Sequence, residues 1–434
     1  MAAIEYQWPD AGFFGEDGRG AVDRVGGMKL SYVIVTRNRR DALLQTLARL
    51  EENTRLSRRT WETIVVDNAS DDGGPEAVVK RFRTARVLRL PENEGMPARN
   101  HGFKVAQGRY VCMLDDDSYP TGEAVPMSIG YLEKHAGTAA VVGRVELPGG
   151  QCEAPALPCV LLGGASVVRK AVLDRTGGFS PEFFRQAEEY DLSFRIMRLG
   201  HRIERFEDVV YRHEKAPGGC GGALVHRMDL RNNLILVERY LPKSLRRQYR
   251  HDWVRRYTAL ARAEGHAAAA KKGLYEALVW ARRERAVGRQ TLDERTIEQA
   301  LGLRAQAEAV VAWKKQHGVR RVAIADFGKN LYATYAACTA AALEVVALAD
   351  DRVAFERMVY RGIPVVCREK LEAMAIDGVV VSNTNPAQVA TIAEGARRVT
   401  AAPVLTFWRP RYLSNPENPQ TRPKPVKSPG ARAA

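Results

Sequence analysis

Three consecutive carboxylates, Asp115, Asp116 and Asp117, close the run Arg109-Tyr-Val-Cys-Met-Leu-Asp-Asp-Asp-Ser118. Adjacent carboxylates repel one another, so the cluster is favourable only where something positive sits among them, most simply a hard divalent cation with oxygen ligands. In an extended or turning backbone Asp115 and Asp117 point one way and Asp116 the other, which makes Asp115-x-Asp117 the useful pair. A solvated acidic turn that caps the next helix is the plainer alternative. A second acidic group, Glu188-Glu189-Tyr-Asp191, precedes the amphipathic stretch Leu192 to Gly200. The helix dipole favours acids in a first turn, which accounts for one or two of these three but does not require all of them. In Leu161-Leu-Gly-Gly-Ala-Ser-Val-Val-Arg169, Gly163 and Gly164 fall mid-sheet, where a side chain would obstruct a ligand; an ordinary turn explains them equally well. Arg227 and Arg231 share a helical face and could meet an anion. His213 follows the apolar run Phe206 to Tyr211 and, on its own, reads as a plain polar residue.

The elements that must position these groups alternate. Leu30 to Thr36 reads as a buried strand, followed by Arg37-Asn38-Arg39-Arg40 and a helix from Asp41 with Leu43, Leu44, Leu47 and Leu50 on one face. Thr63 to Asp67 and Arg86 to Leu90 are further strands, each ending in a polar loop, and Tyr110 to Leu114 is a fourth that delivers the aspartates. Strand, polar loop and helix in this order predict a parallel sheet with crossover helices, whose ligands sit at the carboxyl ends of the strands. Four glycines in five residues after His213 predict a mobile loop.

The chain has 434 residues, 45% apolar and 27% charged, which predicts two or three globular domains. No run of 18 apolar residues and no basic-then-apolar N-terminus is present, so a cytoplasmic chain is expected. The six cysteines are scattered without a C-x-x-C pair, which fits a reducing compartment and argues against structural zinc. A net charge of +15 calls for an anionic partner: nucleotide, nucleic acid or a membrane surface. No nucleic-acid-binding module accompanies it, so nucleic acid is not expected. Between Arg239 and Arg262 basic residues flank Tyr249, Trp253 and Tyr257, spaced four apart. Such a helix can lie on an anionic bilayer, at the inner face of a membrane, or pack its stripe on another helix, and packing is the preferred reading. Val319 to Asn330, Leu343 to Asp351, Ile363 to Val366 and Asp377 to Ser382 predict a second, Rossmann-like α/β unit. Its Asp326-Phe-Gly-Lys-Asn330 turn lacks the G-x-G-x-x-G fingerprint, which argues against tight dinucleotide binding. Five segments result: a leader over 1–27, an α/β domain over 28–240, a basic helical linker over 241–317, the Rossmann-like domain over 318–407, and a disordered basic, Pro-rich tail over 408–434.

Residues 29 to about 240 resemble the family 2 glycosyltransferases, which have the GT-A nucleotide-sugar fold. The resemblance rests on ordered pieces: Val35-Thr-Arg-Asn38, Val66-Asp-Asn-Ala-Ser-Asp71, Glu92-Asn-Glu-Gly95 with Arg99-Asn100-x-Gly102, Leu114-Asp-Asp-Asp117, Gly163-Gly-Ala165, Gly177-Gly-Phe179, Glu188-Glu-Tyr-Asp-Leu192 and Tyr211-Arg-His213. It implies a nucleoside-diphosphate-sugar donor whose base and ribose meet Thr36, Asn38, Asp67 and Asn68, with Arg99, Asp116 and Arg231 also on the donor side. It implies that Asp115, Asp117 and His213 hold Mn²⁺ or Mg²⁺ against the diphosphate, and that Gly163, Gly164 and Ala165 line the donor sugar. The family motif usually reads Glu-Asp-x-Asp; Glu189 stands at the position of the general base, with Glu188 as a possible substitute and Asp191 completing the motif. Inversion at the anomeric carbon is expected, with a glycan, lipid-linked or protein acceptor, in bacterial cell-surface polysaccharide synthesis. Homo-oligomerisation is left open. The alternatives are a nucleotidyltransferase, for which the glycine-rich phosphate loop is missing, and a non-catalytic nucleotide-sugar-binding scaffold, for which Glu189 in place of Asp is the clue.

Overall fold

The computed structural model describes residues 27–215 and 222–414. The leader up to residue 26, the glycine-rich segment 216–221 and the tail from 415 lie outside the described residues. In chain order the strands of the first domain are β1 (Leu30–Thr36), β2 (Trp61–Asp67), β3 (Ala85–Arg89), β4 (Tyr110–Asp115), β5 (Ser118–Pro120), β6 (Thr138–Glu146), β7 (Cys152–Glu153), β8 (Ser166–Arg169) and β9 (Arg202–His213). Among the described residues they make one nine-stranded sheet in the order β3-β2-β1-β4-β8-β6-β9-β5, with β7 paired to β6. Strands β1 to β4 pair in parallel, whereas β8 runs antiparallel to both β4 and β6.

The near-continuous apolar character of β1, β2 and β4 follows from burial on both faces of the sheet. Alternate residues feed two cores: Val33, Val66 and Met113 pack with Leu192 and Phe194 on one face, while Tyr32, Ile34 and Leu114 pack with Leu43 and Leu47 on the other. The carboxyl end of β4 thus opens at the middle of the sheet, where the parallel half meets the antiparallel half. Strand β5 reverses immediately after the aspartates and pairs with β9, setting Ser118 opposite His213. The two glycines expected mid-sheet instead occupy a turn ahead of β8, closed by the Ala165 N–H donating to the Leu162 carbonyl at 3.0 Å.

Five helices follow: Gly222–Tyr240, Lys243–Ala263, Ala267–Val287, Glu294–Leu301 and Leu303–His317. The first and third pack closely because Gly273 has no side chain; a Cβ there would lie 2.2 Å from the Arg227 carbonyl. A second domain contains β10 (Arg321–Ala325), β11 (Glu344–Ala349), β12 (Val359–Tyr360), β13 (Ile363–Val366), β14 (Gly378–Val381) and β15 (Val404–Leu405) in the order β12-β13-β11-β10-β14-β15. A larger α/β sheet domain, a run of helices and a smaller α/β domain thus follow one another along the chain.

The carboxyl end of this second sheet docks on the first domain. Thr384 Oγ1 donates to the Ala156 carbonyl at 2.9 Å and Asn385 Nδ2 to the Ala154 carbonyl at 3.0 Å. Tyr249 and Trp253, expected in an aromatic stripe, are buried against the second domain, so that face of the helix is not available to a bilayer. Among the described residues no helix is long and apolar enough to cross a membrane. The tail also departs from expectation up to Ser414. Residues 411–414 return to β9, where the Leu413 and Ser414 N–H groups donate to the Asp208 carboxylate at 2.9 and 2.7 Å, and Arg411 pairs with Glu204. An apolar Leu413 anchor and these partners outweigh the Pro-rich composition there.

Candidate active site

At the end of β4 the three aspartates diverge. Asp115 is partly exposed and ion-paired with Arg99, which also donates to the Leu114 carbonyl at 3.1 Å. Asp116 is buried: Arg39 pairs with it at 2.8 Å, Thr36 Oγ1 donates to it at 2.9 Å, and burial pushes its carboxyl up to about 7. Asp117 is held between Arg39 Nη2 at 2.6 Å and His213 Nε2 at 3.0 Å. Burial would raise the Asp117 carboxyl, but the His213 and Arg39 contacts outweigh it and hold the group below the usual carboxylate range. The other ring nitrogen of His213, Nδ1, meets Glu153 at 2.9 Å, and Glu153 in turn pairs with Lys215. Burial lowers His213, yet its two carboxylate partners prevail and lift it to about 9.

The acidic helix Glu188–Arg198 is entered through Gln186 and Ala187, both in the left-handed region at φ +69° and +63°. Two consecutive non-glycine residues there cost backbone energy and persist because neighbours hold them. The holding groups come from the helix Gly222–Tyr240: Asn232 Nδ2 donates to the Arg185 and Gln186 carbonyls, both at 2.7 Å, and Arg231 donates to the Glu182 carbonyl at 2.9 Å.

This entry aims Glu189 at the aspartates. Its Oε1 accepts the Gly163 N–H at 3.0 Å, and a Cβ on Gly163 would sit 3.2 Å from that same oxygen. At Gly164 a Cβ would come within 2.8 Å of Asp115 Oδ2 and 3.1 Å of Ser118 Oγ. The glycine pair therefore leaves room for the site's own carboxylates. Glu189 is partly exposed, whereas Glu188 is buried with Oε2 lacking a hydrogen-bond partner among the described residues. Burial pushes both carboxyls up; proximity to Glu189 adds to the rise at Glu188, which stands well above the usual range, while the Gly163 N–H restrains the rise at Glu189.

Several expected site residues are committed elsewhere. Asp191 has no exposure and accepts from Ser180 at 2.6 Å, Arg195 at 2.7 Å, Arg239 at 2.9 Å and Tyr240 at 2.7 Å. It ties the acidic helix to Gly222–Tyr240 and cannot touch a substrate. Arg99 is fully buried on Asp115 instead of reaching outward for a diphosphate, and Arg231 is spent on the 182–186 loop and Glu276. Asn68 is buried as a bracket for residues 93–95, accepting the Glu94 N–H at 2.8 Å and donating to the Gly95 carbonyl at 3.0 Å. Asp67, at the end of β2, is buried with Oδ1 unpartnered among the described residues. Asn38, at φ +53°, bridges to the β2 loop through Ser70 and Asp71.

Arg39 and Glu153 were not singled out by the sequence. Arg39 was one of four polar residues after β1, and nothing local marks which of them turns inward; Glu153 approaches His213 only through the pairing of β7 with β6.

Among the described residues no three His, Cys, Asp or Glu side chains converge as a ready-made metal cage. Asp117 Oδ1 and His213 Nε2 nonetheless lie 3.0 Å apart. That is the spacing of neighbouring ligand atoms around a cation with bonds of about 2.1 Å at right angles, and such cations commonly take one or two protein ligands plus phosphate oxygens and water.

Residues 31–153 match the family model for glycosyl transferase family 2. Similar curated proteins include the uncharacterized glycosyltransferase YwdF of Bacillus subtilis, 34% identical over 110 residues that cover 25% of this chain and 37% of that protein. The poly(ribitol-phosphate) β-N-acetylglucosaminyltransferase TarS of Staphylococcus aureus is 24% identical over 203 residues, 42% of this chain and 35% of that one. The chain thus spans little more than a third of the length of these relatives. Among solved structures, S. aureus TarS 1–349 in complex with UDP-GlcNAc aligns over 73% of this chain and 93% of that one, with 16% identity and a TM-score of 0.47. By its sequence match, the segment 31–153 belongs to glycosyl transferase family 2.

Proposed function

We propose that the chain transfers a glycosyl group from a nucleoside-diphosphate sugar to a hydroxyl of a glycan, lipid-linked or protein acceptor, with inversion, in cell-surface polysaccharide assembly. The observation that carries this reading is the coupling of two carboxylate systems: Gly163 orients Glu189 while Gly164, the next residue, packs on Asp115. Glu189 and Asp115 thus share one patch, which supports the former as proton acceptor and the aspartates as the diphosphate-binding end. With Oε1 held by the backbone, Glu189 Oε2 takes the acceptor's hydroxyl proton as that oxygen bonds to the anomeric carbon and the bond to the diphosphate oxygen breaks. Nucleoside diphosphate leaves, and no covalent enzyme intermediate is needed.

The unpartnered Oδ1 of Asp67 is suited to accept a ring N–H of the donor base. Asp117 and His213 would hold Mg²⁺ or Mn²⁺, with Asp115 beside them; such an ion supplies Lewis-acid stabilisation of the departing diphosphate. Arg39 holds Asp116 and Asp117 in place, and Glu153 fixes the His213 ring. Two similar curated proteins, TarS and a poly(ribitol-phosphate) β-glucosyltransferase of Bacillus spizizenii, are named for transfer of N-acetylglucosamine and of glucose, which supports a hexose-type donor.

The test is a thermal-shift screen of UDP, GDP, dTDP and CMP, each with and without Mn²⁺, since a ligand selective for the native state raises the melting temperature. A shift that requires one nucleotide together with Mn²⁺ is expected. No shift with any pair would overturn the reading.

A further inference from the structure

The turn Asp326-Phe-Gly-Lys-Asn330 leaves the carboxyl end of β10, the central strand of the second sheet, and runs along the first domain. Its backbone and flanking residue are pinned: Trp253 Nε1 donates to the Lys329 carbonyl at 2.7 Å, the Tyr249 hydroxyl to Asn330 Oδ1 at 2.7 Å, and Asn330 Nδ2 to the Leu301 carbonyl at 2.8 Å. The Lys329 side chain crosses the domain boundary. Its Nζ lies 3.6 Å from the centroid of the Tyr190 ring and 5.0 Å from that of Trp253. Tyr190 adjoins Glu189 in the chain, and the ammonium is close enough to interact with the charges of Asp229 and Glu189.

Lys329 is 8% exposed, yet among the described residues no carboxylate lies within ion-pair distance of Nζ and no hydrogen bond reaches it. A buried ammonium ordinarily has such a partner, and two ring faces replace only part of the lost hydration. Burial accordingly pushes Lys329 down to about 7 against the attraction of Asp229. The acidic helix thus has, within electrostatic reach of its proposed base, an ammonium with no carboxylate at ion-pair distance among the described residues, delivered by a different domain.

We propose that Lys329 is a specificity residue of the active site, which binds an oxyanion of the acceptor, phosphate or carboxylate, beside Glu189. The role of that anion as acceptor rests on the transferase reading above; the anion site itself does not. An entering oxyanion supplies the missing hydrogen-bond acceptor, the Tyr190 and Trp253 rings wall the ammonium, and the pinned turn fixes its height above the helix. The second α/β domain is then part of the active site.

The experiment is calorimetric titration of the full chain with glycerol 3-phosphate, glucuronate and glycerol, for the parent, Lys329→Met and Lys329→Arg, with UDP titrated separately into each. Expected is binding of at least one of the two anions to the parent, weakening by about tenfold in Lys329→Met and recovery to within about threefold in Lys329→Arg, as loss of one charge-assisted contact requires. Glycerol should not respond to either change, and UDP affinity should stay that of the parent, which shows that the variants are folded. Equal anion affinity in Lys329→Met and the parent, or no preference for either anion over glycerol in the parent, would overturn the proposal. UDP failing to bind the parent while the anion results hold would instead overturn the transferase reading.

Discussion

Replacing Asp191 by Asn separates a structural from a chemical role within the acidic helix. The carboxylate has no exposure, and its oxygens receive Ser180, Arg195, Arg239 and Tyr240. Asparagine keeps the shape but removes the charge. Arg239 retains Glu182 and Glu284, whereas Arg195, itself largely buried, loses its ion-pair partner. Removing one member of a buried pair costs about 3–5 kcal/mol, and the partners left to Arg239 place the expected loss near 3 kcal/mol. For a domain of this size 1 kcal/mol moves the melting temperature by about 2–4 °C, so a fall of about 6–12 °C is expected at pH 7 by calorimetry.

Burial opposes the Asp191 charge, but Arg195 and Arg239 prevail and the folded carboxyl lies below its ordinary value. A group depressed on folding stabilises above its unfolded pKa of about 3.9 and loses that contribution as pH falls through the folded value. The gap between parent and Asp191→Asn should therefore narrow below about pH 4. Nucleoside diphosphate release, measured well below the variant's melting temperature, should stay within about tenfold of the parent, since no proton passes through Asp191. A melting temperature unchanged at pH 7, or a loss of release with full stability retained, would refute the structural assignment.

Other outcomes follow from the same geometry. Gly164→Ala puts a methyl 2.8 Å from Asp115 Oδ2, so metal-dependent nucleotide stabilisation should be reduced; an unaltered thermal shift would count against the close packing. Gly130→Ala, inside the helix Ala124–Lys134 with nothing within 4 Å of the new methyl, should raise stability by about 0.5–1 kcal/mol in denaturant unfolding. Because burial raises Glu189, the acidic limb of the kcat/KM profile should lie above the ordinary glutamate value of about 4.3, the base being active only on its alkaline side. A limb at or below that value would argue against Glu189 as the base.

The parts of this site that a linear reading captures are those whose cause is local. Tyr110 to Asp115 announces itself because a strand buried on both faces must be continuously apolar, and its carboxylates must then emerge at one end. The first-turn acids of Glu188–Arg198 are legible for the same reason. What stays hidden is decided by long-range pairing. His213 meets Asp117 because β5 reverses and sets Ser118 opposite it; the residues around His213 carry no sign of this register, and only the family resemblance joined the two. Arginines are the poorest guide. Arg99 and Arg231 read as ligand-facing and nothing local marks Arg39, yet each turns to a buried acceptor of the chain itself, since the fold brings carboxylates and carbonyls to them from residues far away in sequence. Lys329 is more remote still, as its neighbours belong to another domain.

Glu189 as the proton acceptor is tested by measuring nucleotide affinity and single-turnover glycosyl transfer side by side on Glu189→Gln. Expected are a nucleotide Kd within about threefold of the parent and a transfer rate lower by at least about 10²-fold. Transfer at the parental rate, with nucleotide bound equally well, would contradict it.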